Sequence, residues 1–252
     1  MDLRKVKMTR KIDTAVYPNI QQIEKPTSSN IKHLKNEGIS KFSIPESLDI
    51  IIKNTEKNHS ETGRIFVPKM EDEDRIYAFM ENSIPKMKVL DYTKPELYRL
   101  ISNDINIVSC VENTMGEIVG INIAYPAKLL PIIAPQEKWY PEGGFSDQIT
   151  KDNYYYNELI AVSPQYQNNG LGKILRSKQV FDVVNRKSTD IVLYSIPEAY
   201  NINLNYGFKD GGKTIIKFYD DDSKAETYFM RLKITKEILH KAHSILEKYH
   251  RR

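Results

Sequence analysis

The spacing of apolar residues changes repeatedly along the chain, and each change marks an element. Ile65-Phe66-Val67 reads as a strand. Glu71-Asp72-Glu73-Asp74 then opens a helix carrying Ile76, Tyr77, Phe79 and Met80, with acids in the first turn that suit the helix dipole. A second helix is predicted over Pro95–Asn103, proline at its first turn and Leu97, Leu100 and Ile101 on one side. Ile105–Glu112 and Glu117–Tyr125 form a hairpin across Asn113-Thr114-Met115-Gly116. Glu158–Val162 is a strand, followed by a helix in which Ile174, Leu175, Val180, Phe181 and Val184 recur. Then come a strand over Asp190–Ser195, a short helix over Glu198–Asn205, and a hairpin of Thr214–Tyr219 and Glu226–Ile234. Lys236–His250 closes as an amphipathic helix with Ile238, Leu239, Ala242, Ile245 and Leu246 on one face.

Two regions fit this pattern less well. The first 60 or so residues are rich in Lys, Asn, Ser and Thr. Their one clear element is a helix around Pro45–Asn58, with Leu48, Ile51 and Ile52 on a face after Ser43 or Ser47 as cap. Residues 126–152 hold four prolines, Gly143-Gly144 and the single Trp139, and match a lid, binding loop or interface arm. The expected organisation is an extension over 1–62, a catalytic domain over 63–235 and a terminal helix over 236–252.

Composition narrows the class. A chain of 252 residues with 40% hydrophobic and 28% charged residues suits a globular protein with one well-cored domain. No apolar run approaches the roughly 20 residues that span a bilayer, and the start MDLRKVKMTRK lacks the apolar core of a secretory signal. One cysteine, Cys110, excludes an intrachain disulfide framework and points to a reducing, cytoplasmic setting. The net charge of +4 is small and its lysines are scattered, which argues against nucleic acid as a partner. No metal site is expected, and the chain is expected to be a monomer or homodimer.

The chemistry concentrates between Tyr154 and Lys173. A strand ending at Ser163-Pro164 passes through Gln167-Asn168-Asn169-Gly170-Leu171-Gly172 into a helix. Strand, glycine-bearing loop and helix N-terminus make an anion-binding device, because glycines admit a ligand close to the backbone and the first N–H groups point at a phosphate. A dinucleotide fingerprint would need a third glycine and an acid closing the next strand, and a phosphate-loop would need Gly-Lys-Ser/Thr; neither is present.

The pieces Ile160-Ala161-Val162-Ser163-Pro164, Gln167 to Gly172, Ala199 and Gly207-Phe208, in this order, resemble the signature of the GNAT superfamily of N-acetyltransferases over roughly Arg64 to Ile234. A weaker likeness to invertebrate arylalkylamine and polyamine acetyltransferases rests on Gly116-Glu117-Ile118-Val119-Gly120, the long segment before the cofactor strand, and Ser195. The resemblance implies an α+β fold with a mixed, mostly antiparallel sheet splayed at a cleft for acetyl-CoA. It also implies transfer of an acetyl group from acetyl-CoA to an amine. Ile160, Ala161 and Val162 would hold the pantetheine arm by their backbone, and Gln167, Asn168, Asn169, Gly170, Leu171, Gly172 and Lys173 the pyrophosphate. Three departures stand out. The glutamate of the arylalkylamine enzymes would fall near Lys88-Val89-Leu90, which has none. The tyrosine acid of many members is replaced by Asn203, and their asparagine contact by Ile196.

A primary amine must lose a proton before it attacks, and Glu158 is the candidate base. Ser195 is a second candidate for the proton path. Tyr200 and Tyr206, three residues either side of Asn203, are candidates to replace the missing acid, with Asn203 and Tyr206 counted among the coenzyme contacts. Trp139 is placed to stack on an aryl amine or a methylene chain. Two other classes stay open: a peptide or protein N-acetyltransferase, and an acyl-CoA-binding domain without transfer activity.

Overall fold

The structure is a computed structural model that describes residues 45–83, 93–133, 139–142, 144–145, 149, 153–218 and 223–250. Its centre is a nine-stranded sheet. In chain order, the first elements are strands β1 (Leu48–Asn54) and β2 (His59–Phe66), helices α1 (Glu73–Ser83) and α2 (Lys94–Ser102), and strands β3 (Ile107–Glu112) and β4 (Ile118–Pro126). A short helix α3 (Leu130–Ile133) and strand β5 (Trp139–Pro141) lead to β6 (Tyr154–Val162), α4 (Leu171–Asn185) and β7 (Asp190–Ser195). The chain then forms α5 (Pro197–Tyr206), β8 (Lys209–Phe218), β9 (Lys224–Lys233) and α6 (Lys236–Tyr249). The spatial order is β1-β2-β3-β4-β6-β7-β9-β8-β5. Every pairing is antiparallel except β6 with β7, which α4 joins as a crossover.

Residues 45–58 correct the expected helix. Ile50 and Ile52 are buried while Ile51 is exposed, so the run alternates with period 2 and lies in the sheet as β1. Three consecutive β-branched residues, Ile50, Ile51 and Ile52, favour that choice over a helix. Consequently the boundary drawn at residue 62 falls inside β2. Ile50, Ile52 and Ile65 share a core with Leu239, Ala242 and Leu246 of the terminal helix, and Ile50 bridges to His250.

The sheet has two apolar faces. One packs α4 and α6 against Val111, Val119, Ala124 and Leu193. The other packs α1 and α2 against Cys110, Ile121, Ile123 and Tyr125. The acidic start of α1 has structural partners: Asp72 accepts from the Lys69 N–H at 3.0 Å and pairs with Arg75, and Asp74 pairs with Lys94. Thr93 caps α2, and Glu96 returns the bond to the Thr93 N–H at 2.7 Å. Within residues 126–152, Ala127–Ile133 turns helically and Trp139–Pro141 adds an edge strand to β8. The Trp139 side chain, Lys88-Val89-Leu90 and residues 1–44 lie outside the described residues.

Candidate active site

The site originates in an incomplete pairing. β6 and β7 run in register only from Tyr154–Tyr156 against Asp190–Val192. Beyond that point they part and leave a cleft of about 1240 Å3. Ser163 donates its N–H to the Val119 carbonyl at 2.9 Å, so by strand alternation Ala161 and Leu159 also turn their backbone groups toward β4. The backbone groups of Ile160 and Val162 therefore face the cleft as an open edge. The side chain of Gln167 already donates to the Val162 carbonyl at 2.9 Å.

At the mouth of the fork stands the N-terminus of α4. Gly170 is its N-cap at φ +90°, and no side chain caps the helix, which leaves the first-turn N–H groups facing outward. At that φ any side chain is strained, and a Cβ on Gly170 would also run into the Tyr249 hydroxyl of α6, so this glycine serves the fold. A Cβ on Gly172 would meet nothing within 4 Å, and the backbone there is open on the cleft side. The loop is buttressed from β1 and β2. Thr55 donates to the Gln165 carbonyl at 2.7 Å from its N–H, Asn169 donates to the Lys53 carbonyl at 3.3 Å, and Tyr166 donates to Glu61 at 2.7 Å.

Deeper in the cleft, β6 carries a bulge. Ile123 pairs with Leu159 and Ala124 with Asn157, leaving Glu158 as the extra residue. The bulge leaves Glu158 on the same face as Leu159, opposite to Asn157. Glu158 accepts from the Tyr125 hydroxyl at 2.8 Å on the α1/α2 face, whereas Asn157 accepts from Arg176 at 2.9 Å and Gln179 at 2.8 Å beneath α4. Asn203 of α5 donates to Ser195 Oγ at 3.1 Å and stands 3.5 Å from Arg176 Nη2. Burial pushes the Arg176 guanidinium down to about 10 and the Tyr206 phenol up to about 12. The Tyr206 hydroxyl is 3.1 Å from Ser177 Oγ.

Most of the expected residues come together here. Glu158, Ile160, Val162, Gln167, Asn168, Gly170, Leu171, Gly172, Lys173, Ser195, Asn203 and Tyr206 all border the cleft. Three do not take the expected place. Tyr200 donates to Asp210 at 2.8 Å and packs on Tyr228, outside the lining, because the cleft face of α5 runs through Ala199, Ile202, Asn203 and Tyr206. The Asn169 side-chain amide donates to the Gln167 carbonyl within the loop and to the Lys53 carbonyl of β1, away from the cleft lining. Ala161 directs its backbone to β4 and its side chain to the α1/α2 core. Unforeseen from the sequence were Arg176, Tyr125 and the contribution of α6, whose Lys241, Ser244, Ile245, Lys248 and Tyr249 form one wall. Among the described residues no group of three or more His, Cys, Asp or Glu side chains is placed to hold a metal ion. No helix among them is long and apolar enough to cross a membrane.

No family model matches the sequence, and no curated protein matches it at a significant level. Solved structures do. The GNAT domain of S. lividans PAT superposes with a TM-score of 0.52 at 11% identity, covering 76% of this chain and 100% of that one. An N-acetyltransferase from Staphylococcus aureus Mu50 gives 0.52 at 15% identity, covering 69% and 99%. The chain has the GNAT fold: a mixed, mostly antiparallel sheet, flanked by helices and splayed between its two central parallel strands.

Proposed function

We propose that the protein is an N-acetyltransferase that moves the acetyl group of acetyl-CoA to a primary amine. One observation carries the reading: a single cleft joins an uncapped helix N-terminus, an open strand edge and a bulged glutamate. The residues fit the coenzyme. First-turn N–H groups of α4 and the open backbone at Gly172 suit a pyrophosphate, and Lys173 and Lys248 border the same space. Ile160 and Val162 offer backbone donors and acceptors to an amide-bearing arm, as an added strand would use them.

When bound, acetyl-CoA supplies an activated acyl group on a sulfur leaving group. Glu158 receives the amine's proton, directly or through water, with Tyr125 fixing the carboxylate. A cleft-facing backbone N–H of β6 stabilises negative charge developing on the carbonyl oxygen. The acceptor side of the cleft is lined by Tyr156, Tyr194, Ile216 and Phe218, which favours a small amine with an aryl or methylene body.

Calorimetric titration with acetyl-CoA, followed by a thiol-release assay with an arylalkylamine, a polyamine and a peptide, tests the reading. No binding up to about 1 mM, the upper end of ordinary Michaelis constants, overturns it. Binding without thiol release from any amine would instead identify an acyl-CoA-binding module.

A further inference from the structure

Arg176 is a buried cation that the reaction above leaves unused. It is 6% exposed and borders the cleft, and no carboxylate among the described residues balances its charge. Its neighbours are neutral: Asn157 and Gln179 accept from Nη1, Asn203 lies 3.5 Å from Nη2, and the Phe208 ring stacks at 4.9 Å. A guanidinium has five N–H donors, so these contacts leave donors to spare. A buried charge without a counter-ion is costly, and proteins keep one where an opposite charge arrives.

The position of Arg176 indicates which charge that is. An arm entering at Gly172 and following Ile160 must end at Asn157, because β6 and β7 close again at Tyr156 and Val192. Arg176 is bonded to Asn157 and so stands at the closed end of the fork. We propose that Arg176 faces the leaving sulfur and stabilises its negative charge, doing electrostatically what the absent tyrosine at Asn203 would do by proton donation. This rests on the acetyl-CoA reading. As the amine nitrogen bonds to the carbonyl carbon, its proton passes to Glu158. The carbon–sulfur bond breaks and its electron pair stays on sulfur as a thiolate. Arg176 remains protonated throughout.

Binding of coenzyme A and of desulfo-coenzyme A, which lacks the sulfur, is compared by calorimetry from about pH 6.5 to 9, spanning the ordinary thiol range. Ultraviolet absorbance follows the thiolate of the bound coenzyme. Tyr206 from α5 stays protonated over this window, Lys241 from α6 lies over the Tyr206 ring, and Glu158 occupies the opposite face. The bound thiol is expected to titrate about one unit or more below the free thiol, giving a preference for coenzyme A that grows about tenfold with pH. Arg176→Met abolishes that preference while desulfo-coenzyme A affinity holds within about twofold; Arg176→Lys retains part of it. A wild-type thiol that titrates as it does in water, or an unchanged preference in Arg176→Met, overturns the proposal. If Arg176→Met fails to fold, the wild-type titration and the Lys variant decide alone. Failure of both coenzymes to bind the wild type defeats the acetyl-CoA reading instead.

Discussion

The Tyr125 hydroxyl donates to Glu158 at 2.8 Å across the bulge of β6, and Tyr125 is itself fully buried. A buried phenol aimed at a cleft carboxylate limits its rotamers, and the bulge is what puts Glu158 on that face. If Tyr125 orients the base, Tyr125→Phe lowers turnover by about tenfold or less and leaves acetyl-CoA affinity unchanged. The double variant with Glu158→Gln is no slower than Glu158→Gln alone, since both act through one group. Steady-state kinetics of the four proteins checks this; additive losses would separate the two residues.

Glu158→Gln keeps the shape of the site and removes the proton acceptor. Turnover falls by about 10²-fold or more, the scale for losing a general base. The deficit narrows at high pH, where more of the amine is already neutral. Turnover against pH for both proteins is the measurement, and superimposable profiles would exclude Glu158 as the base.

The strand–glycine loop–helix was legible in the sequence because its signals are local: a strand ending at Pro164, glycines at 170 and 172, and apolar spacing from Ile174. The β1 strand was misread because Leu48, Ile51 and Ile52 also satisfy a helical face, and only sheet pairing with β2 selects period 2. Arg176 stayed hidden for a different reason. Arg176, Ser177, Lys178 and Gln179 read as the solvent turn of an amphipathic helix, yet all four are buried. Their partners are remote in sequence, Asn157 of β6 for Arg176 and Gln179 and Tyr206 of α5 for Ser177, which no local pattern reveals. The apolar gap of five between Leu175 and Val180 was the one available trace.

Alkaline stability tests the buried phenols. Burial pushes Tyr155 up to about 12, and its hydroxyl donates to the Ile105 carbonyl at 2.9 Å. Below pH 10 both folded and unfolded states hold the proton. Above it the unfolded chain releases its proton first, so stability is lost as pH rises from about 10 to about 12, by at most about 2 to 3 kcal/mol for this group. Tyr155→Phe is less stable by about 1 kcal/mol at neutral pH and lacks this alkaline loss. The gap between the two proteins in chemical denaturation therefore closes at about pH 11 and reverses toward about pH 12. A constant gap would mean that Tyr155 ionises as readily folded as unfolded.

The two glycines of the loop predict opposite behaviour. Gly170 sits at φ +90° with the Tyr249 hydroxyl where a Cβ would go. Gly170→Ala therefore destabilises the fold, by about 1 to 2 kcal/mol for the backbone alone and further for the clash. Tyr249→Ala recovers the clash portion and leaves the backbone cost. Gly172 has an ordinary helical position with open space at its Cβ. Gly172→Ala is stabilised, by up to about 1 kcal/mol from helix propensity. If the pyrophosphate approaches the backbone there, the same variant loses acetyl-CoA affinity by at least about tenfold, or 1.4 kcal/mol. Thermal denaturation and calorimetric titration of both variants separate a glycine kept for the fold from one kept for the ligand. Retained affinity in Gly172→Ala would move the phosphates away from the first turn of α4.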